Sequence, residues 1–391
     1  MVRPVGGVDS MVESLAERFQ HWCGQMPRVF RAPGRVNLIG EHTDYNDGFV
    51  MPAAIDFYTW VAGARRDDRG LRVYSVHFDE NVELSPDALE GPPRKHWSDY
   101  VRGVAAVMQA DGHSLVGANL MIHGQVPLGA GLSSSASLEL ATALALMSLS
   151  GFELPALDLV RLCRRAEHEY VGTRCGIMDQ FIAAFGRSGN ALLLDCRSLD
   201  FNLLPIPAYV RLAICNTMVR HELAASEYNR RRADCETGVS ILGKRLSNVL
   251  ALRDVSLGEL EKHRKALSDL VYRRCRHVIS ENQRVLDAAE ALKSGNLDRF
   301  GQAMYASHAS LREDYQVSCR ELDLLVELAS ACDGVYGARM TGGGFGGCTV
   351  NLLRSDSVEF FQRYIVQAYE KETGRPPEVY VCSVAQGASV A

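Results

Sequence analysis

Pro127-Leu128-Gly129-Ala130-Gly131-Leu132-Ser133-Ser134-Ser135-Ala136-Ser137 lies between two apolar stretches, Ala118 to Val126 and Leu138 to Leu149. The first has the length of a strand and the second that of a helix, so the segment reads as a Gly-rich turn feeding a helix that starts near Ser134. Gly129 and Gly131 let a backbone approach a ligand with no Cβ in the way. The first amides of the following helix lack intrahelical acceptors and face an anion, which is the geometry of a phosphate cradle. Ser133, Ser134 and Ser135 add hydroxyl donors and a candidate magnesium ligand. The plainer reading is that these serines only cap the helix. Taken alone, the segment allows both.

Outward from this turn the pattern is mixed. Ser10 followed by Glu13 has the form of a capping box, and Met11, Leu15, Phe19 and Trp22 recur at helical spacing, so the N-terminal region contains an amphipathic helix. From Val29 to Phe78, short runs rich in Val, Phe, Tyr, Ile and Trp are broken by Pro33-Gly34, Asn46-Asp47-Gly48 and Arg69-Gly70, the pattern of a β-meander. Helices are expected at about 97–110, 156–170 and over most of 224–331. Strands are expected at 334–340, 348–353 and 379–383, with a helix from about Val358. Strands and helices do not strictly alternate, which predicts an α+β chain of two α/β layers meeting at a cleft. The Asp195 to Pro207 stretch is the expected boundary, giving domains 1–200 and 201–391.

Composition narrows the function. At roughly 150 residues per domain, 391 residues make two or three domains. The net charge of −5 offers no basic footprint for a nucleic acid. Eleven cysteines without a C-x-x-C pair or a zinc-like spacing suggest a reduced, cytoplasmic chain. Acidic residues interrupt the N-terminal segment where a secretory signal would be apolar, and the most apolar window contains Glu139 and is too short to span a membrane.

Two other glycine patterns fail on context. Gly238 to Lys244 fits G-x-x-x-x-G-K, but Arg245 replaces the magnesium-binding Ser or Thr and the surroundings are helical. Gly342 to Gly347 fits G-x-G-x-x-G but precedes a strand, where a dinucleotide fingerprint needs a helix. His168 and His221 begin near-matches to H-E-x-x-H that lack the second His, so neither is a zinc site. Glu41, His42 and Asp44 crowd one turn, and such acceptors beside a donor suit a polyhydroxylated ligand. An ordinary Asx-rich turn has the same composition. Asp179 reads either as a helix cap or as a carboxylate for proton or metal chemistry near the glycine loop.

In combination, these motifs resemble the GHMP small-molecule kinases. Arg35-Val-Asn-Leu-Ile-Gly-Glu-His-Thr-Asp-Tyr-Asn-Asp-Gly48 is similar to a sugar signature of that family, Pro127 to Ser137 to its ATP loop, and Arg339-Met-Thr-Gly-Gly-Gly-Phe-Gly-Gly-Cys348 to its third motif. Cys175 to Phe181 and Val219 to Arg232 match further segments of the branch that phosphorylates galactose. The resemblance spans nearly the whole chain. It implies a two-domain fold with the site in the inter-domain cleft, and transfer of phosphate from ATP to the C1 hydroxyl of D-galactose in galactose catabolism. By the same matching, Asp179 is base or positioner and Arg35 an electrostatic stabiliser. Glu41, His42, Asp44, Gly176, Asp179 and Tyr228 hold the sugar. Gly129, Ala130, Gly131, Leu132, Ser133, Ser134, Ser135 and Ala136 cradle the triphosphate, with Trp97 near the adenine and Arg220 near the phosphates. Ser135 and Glu167 hold Mg2+. Gly343 to Gly346 line the same cleft, and the protein is expected to act as a monomer on small molecules.

Two alternatives carry their own features. A kinase for N-acetylgalactosamine or arabinose would use the same chemistry, but Thr43 stands where the N-acetylgalactosamine branch carries a bulkier residue. A non-catalytic galactose sensor resembles the family yet lacks a Ser-Ala pair in the ATP loop, which is present here as Ser135-Ala136.

Overall fold

The computed structural model describes residues 8–89, 91–219 and 224–391. Helix α1 (Val8–Cys23) buries Leu15 and Phe19, as the spacing predicts. Ser10 lies inside this helix, so it does not cap its start. Five strands follow: β1 (Arg28–Asn37), β2 (Phe49–Val50), β3 (Pro52–Arg65), β4 (Leu71–Ser75) and β5 (Glu80–Leu84). Next come α2 (Ser98–Ala110), β6 (Ala118–Gly124), α3 (Ser134–Ser150), α4 (Ala156–Ala166) and α5 (Met178–Phe185). After α4 the helix widens to a π turn over Glu167–Val171. The middle of the chain supplies β7 (Asn190–Asp195), β8 (Phe201–Pro205), β9 (Val210–Asn216), α6 (Ala224–Leu242), α7 (Leu257–Lys262), α8 (Asp269–Lys293), α9 (Leu297–Ser310) and α10 (Arg320–Ser330). The chain then adds β10 (Val335–Thr341), β11 (Cys348–Arg354), α11 (Val358–Thr373), β12 (Glu378–Cys382) and β13 (Ser389–Val390).

The first sheet has the order β13-β1-β3-β6-β4-β5. The expected meander is interrupted, because β6 inserts between β3 and β4 and runs parallel to β4. Side chains alternate across a strand, and here both faces are covered. Phe30, Val61 and Leu120 point to a core with Val104, Leu140 and Leu159 from α2, α3 and α4. Trp60, Ala62 and Met121 point the other way, toward Leu15 and Phe19 of α1 and Phe181 of α5. Helix α3 is apolar nearly all round because it is buried on most sides.

The second sheet, β10-β11-β9-β12, is antiparallel throughout. One face packs Leu212, Ile214 and Val350 against α8 and α9, and this core runs on into Val36 and Ile55 of the first sheet and Leu38 just beyond β1. The opposite face packs Ala213, Cys215 and Ala338 against Leu325 of α10 and Phe361 of α11. The chain end returns to the first sheet, where Phe30 and Arg31 pair with Val390 and Ser389. Periodicity missed this two-residue strand. A third, small sheet has the order β2-β7-β8.

None of the 11 cysteines is in a disulfide. Among the described residues, no helix is long and apolar enough to cross a membrane.

Candidate active site

Three left-handed residues shape the loop before α3: Gly129 (φ 69°), Gly131 (φ 74°) and Ser133 (φ 61°). Ala130 and Leu132 are buried and plug the loop into the core, leaving its backbone to face the cleft. Ser133 holds the N-cap position of α3 but makes no side-chain capping bond, so the plain capping reading is not realised. Beside Ser134 and Ser135 lies an apolar hollow of about 220 Å3 bordered by Phe78, Trp97 and Tyr100. Trp97 stacks on Phe78 at 6.0 Å with an interplanar angle of 19°. Its indole Nε1 donates to Glu80 Oε2 at 2.6 Å, which fixes the ring. Arg220 lies outside the described residues.

At the floor of the cleft, β1 shifts register between Pro33 and Arg35. The bulge turns Arg35 toward the glycine loop, a common use of bulges beside functional sites. The Arg35 amide donates to Leu132 O at 3.0 Å, and Nη1 donates to Gly131 O at 2.6 Å. Its Nε and Nη2 form a two-point pair with Asp179 Oδ1 and Oδ2 at 2.8 and 2.6 Å. Burial alone would lower the Arg35 pKa, but the Asp179 and Glu41 carboxylates outweigh it and raise the value. Asp179 sits inside the first turn of α5, whose N-cap position is held by Ile177. It is therefore not the cap.

A cleft of about 400 Å3 opens above this pair, walled by Glu41, His42, Asp44, Gly131, Glu167 and Tyr228 among others. Asp44 stands against Gly176 so closely that a Cβ there would lie 1.8 Å from Asp44 Oδ2. Burial, then the charges of Asp179 and Glu41, push the Asp44 carboxyl up to about 7. His42 has a left-handed backbone (φ 64°), and its Nδ1 pairs with the Tyr45 hydroxyl at 2.8 Å. Tyr228 packs 5.5 Å from the His42 ring. Glu41 is committed to the third motif, since its Oε1 accepts from the Gly342 amide at 2.8 Å and lies 3.5 Å from Arg339 Nη1. Gly343 to Gly346 line the cleft as well.

Behind the glycine loop, Glu167 in the π turn and Glu139 of α3 share one amide. Gln180 Nε2 donates to Glu167 Oε2 at 2.7 Å and to Glu139 Oε2 at 3.0 Å. Burial and the nearby Asp179 charge raise Glu167 to about 7, although hydrogen bonds from Cys175, Gln180 and Ser135 oppose the shift. Burial and Glu167 together drive Glu139 well above the usual carboxylate range. No group of three or more His, Cys, Asp or Glu capable of holding a metal occurs among the described residues. The two rejected glycine patterns sit where expected: Gly238 is within α6, and Gly342 to Gly347 lead into β11. His168 is paired through Nε2 with Cys175 O at 2.8 Å.

Thr173, Cys175, Met178 and Val219 also border the cleft, without having been singled out as site residues from the sequence. Cys175, Met178 and Val219 lie within the quoted family segments, whereas Thr173, between the π turn and α5, falls in none of them.

The fold and this double-loop cleft define a GHMP kinase. The N-terminal and C-terminal GHMP kinase domains match residues 99–187 and 288–371. A galactokinase galactose-binding signature matches residues 17–65. The chain is 48% identical to the galactokinase of Chloroflexus aurantiacus over 97% of both chains. It is 47% identical to that of Haemophilus influenzae over 97% of this chain and 99% of the relative. The crystal structure of Lactococcus lactis galactokinase complexed with galactose superposes with a TM-score of 0.94, at 37% identity over 97% of this chain and all of the other. This chain belongs to the galactokinase family. The mevalonate kinase of Methanococcus jannaschii, at 17% identity and a TM-score of 0.64, shares the fold.

Proposed function

We propose that this protein phosphorylates D-galactose at the C1 hydroxyl, giving α-D-galactose 1-phosphate and ADP. The observation that carries the reading is the Arg35–Asp179 pair, set between the glycine loop and the Asp44 loop. In the transfer, the oxygen of the C1 hydroxyl attacks the γ-phosphorus, the bond from that phosphorus to the β,γ-bridging oxygen breaks, and the proton of that hydroxyl passes to Asp179. A loose transition state needs little activation of the nucleophile, so positioning and charge neutralisation dominate. Arg35 serves both, orienting the Asp179 carboxylate and presenting positive charge beside the transferring group.

Asp44, His42, Gly176, Glu41 and Tyr228 hold the sugar, with Asp44 reading the axial 4-hydroxyl. The backbone of Gly129 to Ala136 holds the triphosphate, Arg220 assists at the phosphates, and Trp97 and Phe78 flank the adenine. Mg2+ retains waters and takes only one or two protein oxygens beside phosphate oxygens. Ser135 and Glu167 meet that need, since the Ser135 hydroxyl is hydrogen-bonded to the buried Glu167 carboxylate. Held by these two residues, Mg2+ would supply positive charge that neutralises the charge developing on the transferring phosphoryl group. The unpaired thiols and the use of ATP support a cytoplasmic enzyme. We infer a monomer of two domains, 1–200 and 201–391.

An ADP-release assay with ATP and Mg2+, run against galactose, glucose, N-acetylgalactosamine, arabinose and no sugar, tests the reading. Turnover confined largely to galactose is expected. Activity on another sugar alone would move the substrate, and binding of ATP and galactose without turnover would replace the enzyme by a sensor.

A further inference from the structure

The loop from Gly40 to Phe49 carries Glu41, His42 and Asp44, and both of its ends are anchored by side chains from a distant part of the sequence. Gly40 (φ 101°), His42 (φ 64°) and Asp47 (φ 56°) are all left-handed. Two of these are not glycine, and such residues cost free energy unless surrounding structure holds them. Internal bonds close the turn itself: the Asn46 and Gly48 amides donate to Thr43 O at 3.0 and 2.8 Å, the Thr43 hydroxyl lies 2.8 and 2.7 Å from Gly40 O and Phe49 O, and Asn46 Nδ2 donates to His42 O at 2.9 Å.

Helix α8, more than 200 residues away in sequence, adds three contacts from outside the loop. Glu281 Oε1 accepts from the Gly40 amide at 3.0 Å. Asn282 Oδ1 accepts from the Phe49 amide at 2.9 Å. One turn earlier, His277 Nε2 donates to Glu41 O at 3.1 Å. These positions fall on one face of the helix, which thus grips the loop at both ends and near its start. Arg253 Nη1 adds a bond to Asp47 O at 2.7 Å. Glu281 is itself immobilised, accepting from Arg284 Nε at 2.7 Å and Ser307 Oγ at 2.5 Å. Asn282 approaches so closely that a Cβ on Gly48 would lie 2.3 Å from its Oδ1.

We propose that Glu281 and Asn282 are positioning residues for the sugar: α8 acts as a template that holds the 40–49 loop in the form that presents His42 and Asp44 to the cleft. This rests on the reading of that loop as the galactose site. Neither residue lines the cleft, so neither touches substrate. The hydrogen-bond partners of the Glu281 and Asn282 side chains are Gly40, Phe49, Arg284 and Ser307, so the nucleotide half is expected to be insensitive to them.

The test is steady-state kinetics with each substrate varied in turn, alongside calorimetric galactose binding. Asn282→Ala is expected to raise the galactose KM by about tenfold, the size of one lost buried hydrogen bond, with kcat and the ATP KM within about twofold. Asn282→Asp keeps the acceptor oxygen and is expected to recover most of that loss. Glu281→Gln, which keeps an acceptor for Gly40 but loses the Arg284 ion pair, is expected to fall between them. Should Asn282→Ala not fold, Asn282→Ser is read by the same split between the two KM values. An unchanged galactose KM, or a parallel loss in both KM values and kcat, overturns the positioning role. A wild-type protein that binds no galactose instead refutes the sugar-site reading beneath it.

Discussion

The loop at 127–137 takes its shape mainly from contiguous residues, with Arg35 bonded to two of its carbonyls, whereas the loop at 40–49 adds to its internal bonds an anchor at each end from side chains more than 200 residues distant. The first combines two glycines, a buried Ala and Leu and a helix N-terminus, all contiguous. The second needs α8, Arg253 and the third glycine motif to hold its backbone. A triphosphate is recognised largely by backbone amides and a helix end, which a short segment can supply. A sugar is recognised by side chains whose hydrogen-bond geometry must be set to a fraction of an ångström, which requires support from outside.

Arg35 and Asp179 join the two loops, so changing them should break both halves of the comparison at once. Asp179→Ala is expected to lower kcat by about a thousandfold or more while nucleotide binding persists, and Arg35→Ala to be nearly as severe. Single-turnover transfer beside fluorescent-nucleotide binding measures this, and near-normal turnover in either variant would remove the assigned roles.

Next in size, Asp44→Ala should act on one side only, raising the galactose KM by about tenfold to a hundredfold with the ATP KM unchanged. Initial-rate measurements at saturating ATP decide it. The mirror experiment is Ser135→Ala, for which the apparent Mg2+ and ATP requirements should rise by about tenfold while the galactose KM stays put. A shift in the galactose KM here would mean that the loops are not independent.

The smallest expected effect is a pH dependence. The Asp44 carboxyl is raised to about 7 by burial first and by the Asp179 and Glu41 charges second. Below that value it is protonated and cannot accept from two sugar hydroxyls, and above it the ionised form can. The galactose KM should therefore fall by a few-fold, on the order of threefold, between pH 6 and pH 8. Galactose binding should release a proton over the same range. Asp44→Asn should flatten the profile, and a KM that rises with pH in the wild type would reverse the assignment.

Much of this was legible beforehand, and the misses share a cause. Helices α2, α3 and α11 fall close to their predicted spans because helical periodicity and capping are local. The β6 insertion between β3 and β4 was not legible, since strand order depends on which edges meet, not on the alternation within a strand. Asp179 looked equally suited to cap a helix, and only its two-point pairing with Arg35, 144 residues away, separates the readings. Ser133 looked like a cap and is instead a left-handed hinge that aims the loop at the cleft.

By itself, the sequence determined the chemistry on offer: a glycine-rich segment able to cradle an anion, a cluster of acceptors suited to a polyhydroxylated ligand, and an arginine and a carboxylate in motifs that resemble those of the family. Those features are contiguous, and their physics is that of short segments. Only the tertiary structure decided how they meet: that Arg35 bridges the cradle to Asp179, that Gly176 must be bare to admit Asp44, and that α8 holds the sugar loop in its left-handed form. Each of these is a contact between distant residues, made favourable by the shared core of the two sheets and invisible to any periodicity along the chain.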